Sequence, residues 1–350
     1  MSVITVKAEH QYDVQICADW LTALTESISS YPRIAIFYPQ SLKESIPKIS
    51  IESDVHFFPL PEGEAAKSVQ NLGKMWDWMG AAGFTRSDVV VAIGGGTITD
   101  VAGFLSATWL RGIDWIAVPT TLAGMVDASV GGKTGINSDY GKNLIGSFHS
   151  PQKVIIDSHW LETLSSRDIS AGLSEVIKTG FIGDAEILEI MENFELDRDR
   201  HNYEMINELI QRSVAVKARV VSSDFKESFE REILNYGHTL GHAIERHSQY
   251  SLRHGEAISI GLIYAAHLSQ MHCGLDAAIV AQHIRLLSKI GLPTTYDQSA
   301  FAELLAFMSI DKKSRGKMIR FVGISQVGKT QRIEGLSIDE LAHAYEKISA

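Results

Sequence analysis

The apolar run Val89-Val-Val-Ala-Ile93, which stops abruptly at Gly94-Gly-Gly96, constrains the fold more than any other stretch of this 350-residue chain. A continuous apolar run without alternation suits a strand buried on both faces, as in a parallel sheet covered by helices. The glycines then let the backbone turn tightly into a helix, expected over 97–109. The same rhythm repeats around this unit. Residues 33–38, 54–58 and 115–118 read as short strands and 65–81 as a helix, which predicts an open α/β sheet. After about residue 165 the texture changes to helical patterns at 167–181, 203–221, 229–246, 254–271 and 277–290, and only 318–324 and 330–333 still look like strands. The expectation is an α/β, Rossmann-like N-terminal domain over 1–165 and a mostly α-helical C-terminal domain over 166–350.

Charge and composition remove several classes of function. A formal net charge of −10 argues against non-specific nucleic-acid binding, which needs a basic surface. The most apolar later stretch, 257–268, contains Ser259 and His267 and is too short to cross a bilayer. The N-terminus lacks the apolar region of a signal peptide. Cys17 and Cys273 lie far apart with no ligand-like spacing, and read as reduced thiols. A cytoplasmic protein without nucleic-acid or membrane partners is expected.

The strand–glycine–helix segment ends in Gly94-Gly-Gly-Thr-Ile-Thr-Asp100. Such a turn brings backbone N–H groups and a helix N-terminus to a pyrophosphate, although its spacing is not GxGxxG and it would equally pack a strand onto a helix. Pro119-Thr-Thr121 adds two hydroxyls at the carboxyl end of the next strand, where open α/β sheets bind their ligands. Together they point to a dinucleotide site. Gly131-Gly-Lys-Thr134 is not a P-loop, because Asp127 stands where that motif needs glycine. The glycine-dense stretch 127–146, with Lys133, Lys142 and Asn143, reads as a loop folded around an anion rather than a plain connector.

Glu227, Arg231, Asn235, His238, His242 and Glu245 recur at spacings of four, four, three, four and three, which would put them on one face of a helix over 229–246. A solvated face usually carries Lys and Glu. This one carries His, Asn and Arg, the side chains that bind metals, hydroxyls and phosphates. His238 and His242 have the separation of a zinc-binding helix, but Thr239 replaces the glutamate of HExxH. Further ligand candidates are His254 and Glu175, and spacing alone leaves open whether His242 or His254 completes the set. His149, His159, His267 and His283 read as structural or exposed.

Taken in order from about residue 60 to 325, these motifs, with Arg111-Gly112, Gly141-Lys-Asn143, Gly172-Leu-Ser-Glu-Val-Ile-Lys178, Asn235-Tyr-Gly-His-Thr-Leu-Gly-His242, His254-Gly-Glu256 and Asp311-Lys-Lys313, closely resemble the 3-dehydroquinate synthase family. The resemblance implies an α/β and a helical domain, a cleft between them, and a homodimer. It implies a metal, zinc with cobalt as an alternative, held by Glu175, His238 and His254, with His242 in the phosphate site of the substrate. Lys133, Asn143, Arg231 and Lys312 are similar to other substrate-binding residues of the family, with Arg111 reaching in from the second subunit. Asp127, Lys178, Lys217, Glu227 and Asn235 look like contacts to hydroxyls and carboxylate. Gly94, Gly95, Gly96, Thr97, Ile98, Thr99, Asp100, Thr120, Thr121, Lys133, Lys142, Trp160, Leu161, Glu162 and Thr163 resemble the NAD site, with Glu64 and Lys67 near its adenosine end.

The implied substrate is a small sugar-acid phosphate, 3-deoxy-D-arabino-heptulosonate 7-phosphate. The implied products are 3-dehydroquinate and phosphate, formed by transient oxidation, elimination, re-reduction and aldol closure. One departure from the family pattern is Tyr38-Pro39-Gln40, where many relatives have an aspartate at the adenosine ribose. Two rivals share the scaffold: a cyclase making another carbocycle, and a metal-dependent polyol dehydrogenase that would release NADH. A non-catalytic descendant would have no reason to keep these polar groups.

Overall fold

The computed structural model describes residues 2–227, 230–315 and 319–350, and over 310–315 the backbone alone. The chain divides into two compact units, Met1–Thr163 with Lys217–Lys226, and Leu164–Val216 with Glu227–Ala350.

The first unit carries β1 (Ser2–Lys7), β2 (Gln11–Cys17), α1 (Trp20–Ile28), β3 (Arg33–Pro39), β4 (Asp54–Leu60), α2 (Val69–Ala81), β5 (Val89–Gly94), α3 (Gly96–Thr108), β6 (Asp114–Pro119), β7 (Lys133–Ser138), β8 (Gly141–Phe148) and β9 (Lys153–Asp157). Among the described residues, seven strands form one sheet in the order β1-β2-β9-β6-β5-β3-β4. All neighbours pair in parallel except β1 with β2. Every residue of β5 is buried, as its unbroken apolar run requires. Asp19 caps α1 by accepting the Thr22 N–H at 3.1 Å, and Ser68 caps α2 by accepting the Asn71 N–H at 3.2 Å.

The segment expected to be a ligand-folded loop, 127–146, is in large part the antiparallel hairpin β7–β8. Its glycines permit that pairing. A Cβ on Gly146 would lie 2.3 Å from the Thr134 carbonyl oxygen, and one on Gly135 would lie 2.7 Å from that of Ile145.

The second unit carries α4 (Ser166–Gly183), α5 (Ala185–Asn193), α6 (Leu196–Asp199), most of α7 (Tyr203–Ser223), α8 (His238–His247), α9 (His254–His272), α10 (Ala277–Lys289), α11 (Phe301–Arg315), the hairpin β10 (Arg320–Gln326) with β11 (Lys329–Glu334), and α12 (Ile338–Glu346). The α9 helix is buried over most of its length, so it forms the centre of this unit. Two glycines let other backbone close on it. A Cβ on Gly261 would lie 2.0 Å from the Gly237 carbonyl oxygen, and one on Gly255 would lie 1.8 Å from that of Ala171.

One helix departs from expectation. The periodic segment 229–246 is not continuous: a 3-10 turn covers Glu230–Asn235, and α8 begins only at His238. Gly237 adopts φ +79°, a left-handed conformation that ends the first turn and starts a new axis. Glu227, Arg231 and Asn235 therefore do not share a helical face with His238, His242 and Glu245. Among the described residues, no helix is long and apolar enough to cross a membrane.

Candidate functional site

In the second unit, α4, α8 and α9 bring their polar side chains to one place. Glu175 and Lys178 lie one turn apart on α4, both buried, and form an ion pair. Left-handed Gly237 aims the first turn of α8 so that His238 meets Glu175, with Nε2 3.6 Å from Oε1. His254, the first residue of α9, places its Nε2 3.2 Å from the same oxygen. One ligand atom from each of Glu175, His238 and His254 lies within 4.8 Å of the others, and the same holds for His242, Glu245 and His254. The second set reflects a contact that spacing did not reveal, between His254 Nδ1 and Glu245 Oε2 at 3.3 Å.

The protonation chemistry of the first set suits a divalent cation. His238 Nδ1 lies 3.1 Å from the Tyr236 carbonyl oxygen, which can only accept, so Nδ1 carries the hydrogen and Nε2 the lone pair. Burial, helped by the nearby charge of Lys178, holds His238 well below the usual histidine range, so it is a neutral ligand. Burial also works against charging His254, but hydrogen bonds to Glu175 and Glu245 outweigh it and raise it to about 10. His254 Nε2 and Glu175 Oε1 face each other across 3.2 Å, so a metal bound by both would replace the hydrogen bond between them. His242 is exposed, its ring centre 5.2 Å from that of His238 and 6.0 Å from that of His254.

Tyr236 links this group to the core of the unit. Its hydroxyl meets His283 Nε2 at 2.9 Å, while His283 Nδ1 donates to the Ile279 carbonyl at 2.7 Å and the ring stacks on Phe181 with centroids 3.4 Å apart. His283 is a structural histidine, as expected from the sequence. Nearby in sequence, Asn235 donates to Glu227 Oε1 at 2.9 Å, Glu227 adopts φ +58°, and the large side chain of Arg231 is buried. The Lys312 side chain lies outside the described residues.

The first unit holds a second polar constellation at the carboxyl ends of β5 and β6. Gly95 stands at the N-cap of α3, and no side-chain cap bonds there among the described residues. A Cβ on Gly95 would lie 2.9 Å from Thr121 Cγ2, and one on Gly96 would lie 2.9 Å from Ala128 Cβ. Glycine is thus required for Thr121 and the Gly124–Ala128 turn to close on the helix start. The Thr120 N–H donates to the Gly94 carbonyl at 2.9 Å. An uncapped helix start in such a cradle fits a pyrophosphate.

Lys67 is buried, bonding Asp100 at 2.6 Å and also Asn143 Oδ1. Burial raises the Asp100 carboxyl, opposed by the Lys67 charge. Asn143 adopts φ +56° and donates its N–H to Asn137 Oδ1 at 3.0 Å. Asn137, absent from the sequence-based candidates, also donates from Nδ2 to Glu64 at 2.6 Å and from its backbone to the Lys67 carbonyl at 2.8 Å. Lys142 reaches Glu64 at 3.3 Å, and Lys217 bonds Asp127 Oδ1 at 2.5 Å.

Lys133 is exposed at the start of β7. Arg111 is exposed too, and with Leu110 forms two successive left-handed residues at φ +67° and +49°. Trp160, Leu161, Glu162 and Thr163 lie in the turn after β9. There Trp20 and Trp160, with ring centres 5.1 Å apart, help to line a cavity of about 410 Å³ together with Ser45, Asp157 and Thr163.

Residues 57–171 match the family model of the 3-dehydroquinate synthase N-terminal domain, and residues 172–314 match that of the C-terminal domain. A 3-dehydroquinate synthase of Thermobifida fusca is 48% identical over 322 residues, 91% of this chain and 88% of that protein. One from Rhodococcus opacus is 45% identical, covering 99% of this chain and 95% of that protein. Among solved structures, a 2-deoxy-scyllo-inosose synthase complexed with carbaglucose-6-phosphate, NAD+ and Co2+ superposes with a TM-score of 0.88 at 25% identity, covering 99% of this chain and 100% of that one.

Proposed function

Because the chain belongs to the 3-dehydroquinate synthase family, we propose that it converts 3-deoxy-D-arabino-heptulosonate 7-phosphate into 3-dehydroquinate and phosphate, using NAD and a divalent metal. The observation that carries this reading is the meeting of Glu175, neutral His238 and His254 on three helices, a donor set that leaves room for substrate oxygens on a zinc or cobalt ion. When bound, the metal would act as a Lewis acid on substrate hydroxyls and NAD would carry a hydride out and back within one turnover.

The residues of the chain supply positioning and charge. The Tyr236 carbonyl fixes the tautomer of His238, and Glu245 orients His254. Lys178 offsets the charge of Glu175 and stands ready to donate to a substrate hydroxyl. His242 is assigned to the substrate phosphate. Lys133, Asn143, Arg231 and Lys312 are assigned to substrate binding, with Arg111 supplied by a second copy of the chain. Asp127, Lys178, Lys217, Glu227 and Asn235 are assigned to the hydroxyls and carboxylate. Elimination needs the proton beside the transient ketone to leave as the phosphate departs, and a phosphate held by cationic residues can take that proton itself.

Gly94 to Asp100, with Thr120, Thr121, Lys133, Lys142 and the turn Trp160 to Thr163, are assigned to NAD, and Glu64 and Lys67 to its adenosine end. The proposed division of labour is 1–165 for the dinucleotide and 166–350 for metal and substrate. A cytoplasmic homodimer is part of the proposal. The outward-facing Arg111 and the exposed Tyr140, Leu144 and Ile145 of the β7–β8 hairpin suit contact with a second copy.

The test is phosphate release from the heptulosonate phosphate with NAD and zinc supplied, followed together with absorbance of NADH. Phosphate release with 3-dehydroquinate formed and no NADH build-up is expected. Steady NADH accumulation on polyols would make the protein a dehydrogenase instead. Zinc content of His242→Ala separates the two ligand sets, which share His254: that variant should keep the metal, whereas His254→Ala should lose it.

A further inference from the structure

The first turns of α4 and α9 are joined by two ion pairs that run in opposite senses. Arg167 of α4 forks onto Glu256 of α9, Nε to Oε1 at 2.5 Å and Nη2 to Oε2 at 2.7 Å. Arg253, the N-cap of α9, returns from the other side to Asp168 of α4, Nε to Oδ1 at 2.5 Å. Each carboxylate is itself oriented by its own helix start: Glu256 Oε2 accepts the Arg253 N–H at 2.8 Å, and Asp168 Oδ2 accepts the Ser165 hydroxyl at 2.5 Å.

Close to these pairs in sequence the helices touch backbone to backbone, where a Cβ on Gly255 would lie 1.8 Å from the Ala171 carbonyl oxygen. Ala171 precedes Glu175 by one turn of α4, and Gly255 follows His254 directly. The joined ends are thus next to the point where Glu175 and His254 meet at 3.2 Å.

Arg167 is 54% exposed in its side chain, and Arg253 and Asp168 about a third. Pairs this wet add little to global stability, yet ordering two arginines costs side-chain entropy. Their geometry suits a different task. A bidentate arginine fork fixes direction as well as distance, and a second ion pair running in the opposite sense resists sliding the other way. A slip of one residue along a helix axis is about 1.5 Å, whereas metal–ligand distances tolerate only about 0.2 Å.

We infer that Arg167, Asp168, Arg253 and Glu256 are positioning residues that lock α4 and α9 in the register at which Glu175 and His254 share one metal ion. This rests on the metal ligands proposed above.

The experiment uses the zinc-loaded full chain and follows release of zinc to a colorimetric chelator. The variants are Arg167→Met, Arg253→Met, the double variant and Arg167→Lys. Metal-free melting temperatures and the visible spectra of the cobalt-loaded proteins are recorded in parallel. Each methionine variant is expected to release zinc about 10-fold faster, within the range seen when groups supporting a ligand are lost. The double variant should be faster still, with a weakened cobalt spectrum, while Arg167→Lys, which keeps the charge but not the fork, falls between the parent and Arg167→Met and the metal-free melting temperatures hardly move.

A double variant that folds and releases zinc at the parental rate with an unchanged cobalt spectrum overturns the proposal, as does a fall in melting temperature with zinc release unaltered. If the methionine variants fail to fold, Arg167→Lys decides: faster zinc release with an altered cobalt spectrum in a native fold supports the lock, and parental release with a parental spectrum overturns it. A parent chain that holds no stoichiometric zinc, or an H254A variant that keeps it, overturns the ligand assignment and the lock with it.

Discussion

His283 gives the second unit a calculable sensitivity to acid. Its side chain is fully buried, and both ring nitrogens are committed in the neutral form, Nδ1 donating to the Ile279 carbonyl and Nε2 accepting from the Tyr236 hydroxyl. Burial drives its pKa down to about 3, only partly opposed by the hydrogen bond to Ile279. In the unfolded chain the same ring titrates at roughly 6.5. Between those values the unfolded state binds the extra proton, so stability is lost as pH falls through the unfolded value.

At pH 5.0 the gap to the unfolded pKa is about 1.5 units, and at about 1.4 kcal/mol per unit the loss relative to pH 7.5 is about 2 kcal/mol. That figure barely changes if the folded value lies anywhere below about 4. The perturbation is His283→Gln, an amide that stays neutral and still offers Tyr236 an acceptor.

The assay is urea unfolding at pH 7.5 and 5.0, followed by circular dichroism at 222 nm. That signal reports mainly the helical unit, whereas all 6 tryptophans belong to the first. The variant is expected to start less stable and then lose about 2 kcal/mol less than the parent across the pH step, any metal-linked term being common to both. A difference under about 0.5 kcal/mol would show that His283 is not held neutral by its surroundings.

Three other outcomes follow from the geometry. Lys67→Met strips part-buried Asp100 of its cation and should cost the first unit about 2 kcal/mol, read as an earlier tryptophan-fluorescence transition in urea; no shift would mean that the pair is solvated. Asn137→Ala removes the acceptor of the Asn143 N–H and the donor to Glu64, and should weaken NAD binding about tenfold by calorimetry without altering zinc content, whereas unchanged NAD affinity would refute its role in the turn. Gly255→Ala sets a methyl against the Ala171 carbonyl and should destabilise the second unit by about 3 kcal/mol or more, so a variant with parental unfolding would contradict the close approach of α4 and α9.

The fold class was legible because its two signals are local. β5 is marked by an apolar run ending in glycines, and the second half by helical periodicity, neither of which needs a distant partner. The β7–β8 hairpin was hidden because its strands carry glycines, lysines and outward-facing Leu144 and Ile145 instead of an alternating buried face. The apparent helix over 229–246 failed for a related reason. The spacing is compatible with a helix, but Gly237 takes a conformation that only the contact with Gly261 and Leu262 demands.

The spacing of His238 and His242 marked α8 as a helix that offers candidate ligands, and the structure places one of its histidines in each of two candidate groups. The spacing had no means of ranking His254 against His242, because that ranking depends on how closely α9 approaches α4. Asn137 was missed, and Glu245 was read only as a member of the polar stripe, because the contacts of each are made by residues folded onto it from elsewhere. Lys217–Lys226 likewise has no sequence mark of belonging with the first unit.

Gly255 and Gly261 let carbonyl oxygens of neighbouring backbone press directly on α9, beside the packed side chains of Ile258 and Leu262. Peptide groups do not change when residues are exchanged, so the spacing that sets Glu175, His238 and His254 is insulated from drift in the apolar core around it. Apolar side chains of this unit away from those contacts, unlike Ile258 and Leu262, can diversify with less effect on that spacing than a change at either glycine. The cost of that freedom is concentrated at two positions, where the addition of a single carbon atom would reach the proposed metal ligands at once.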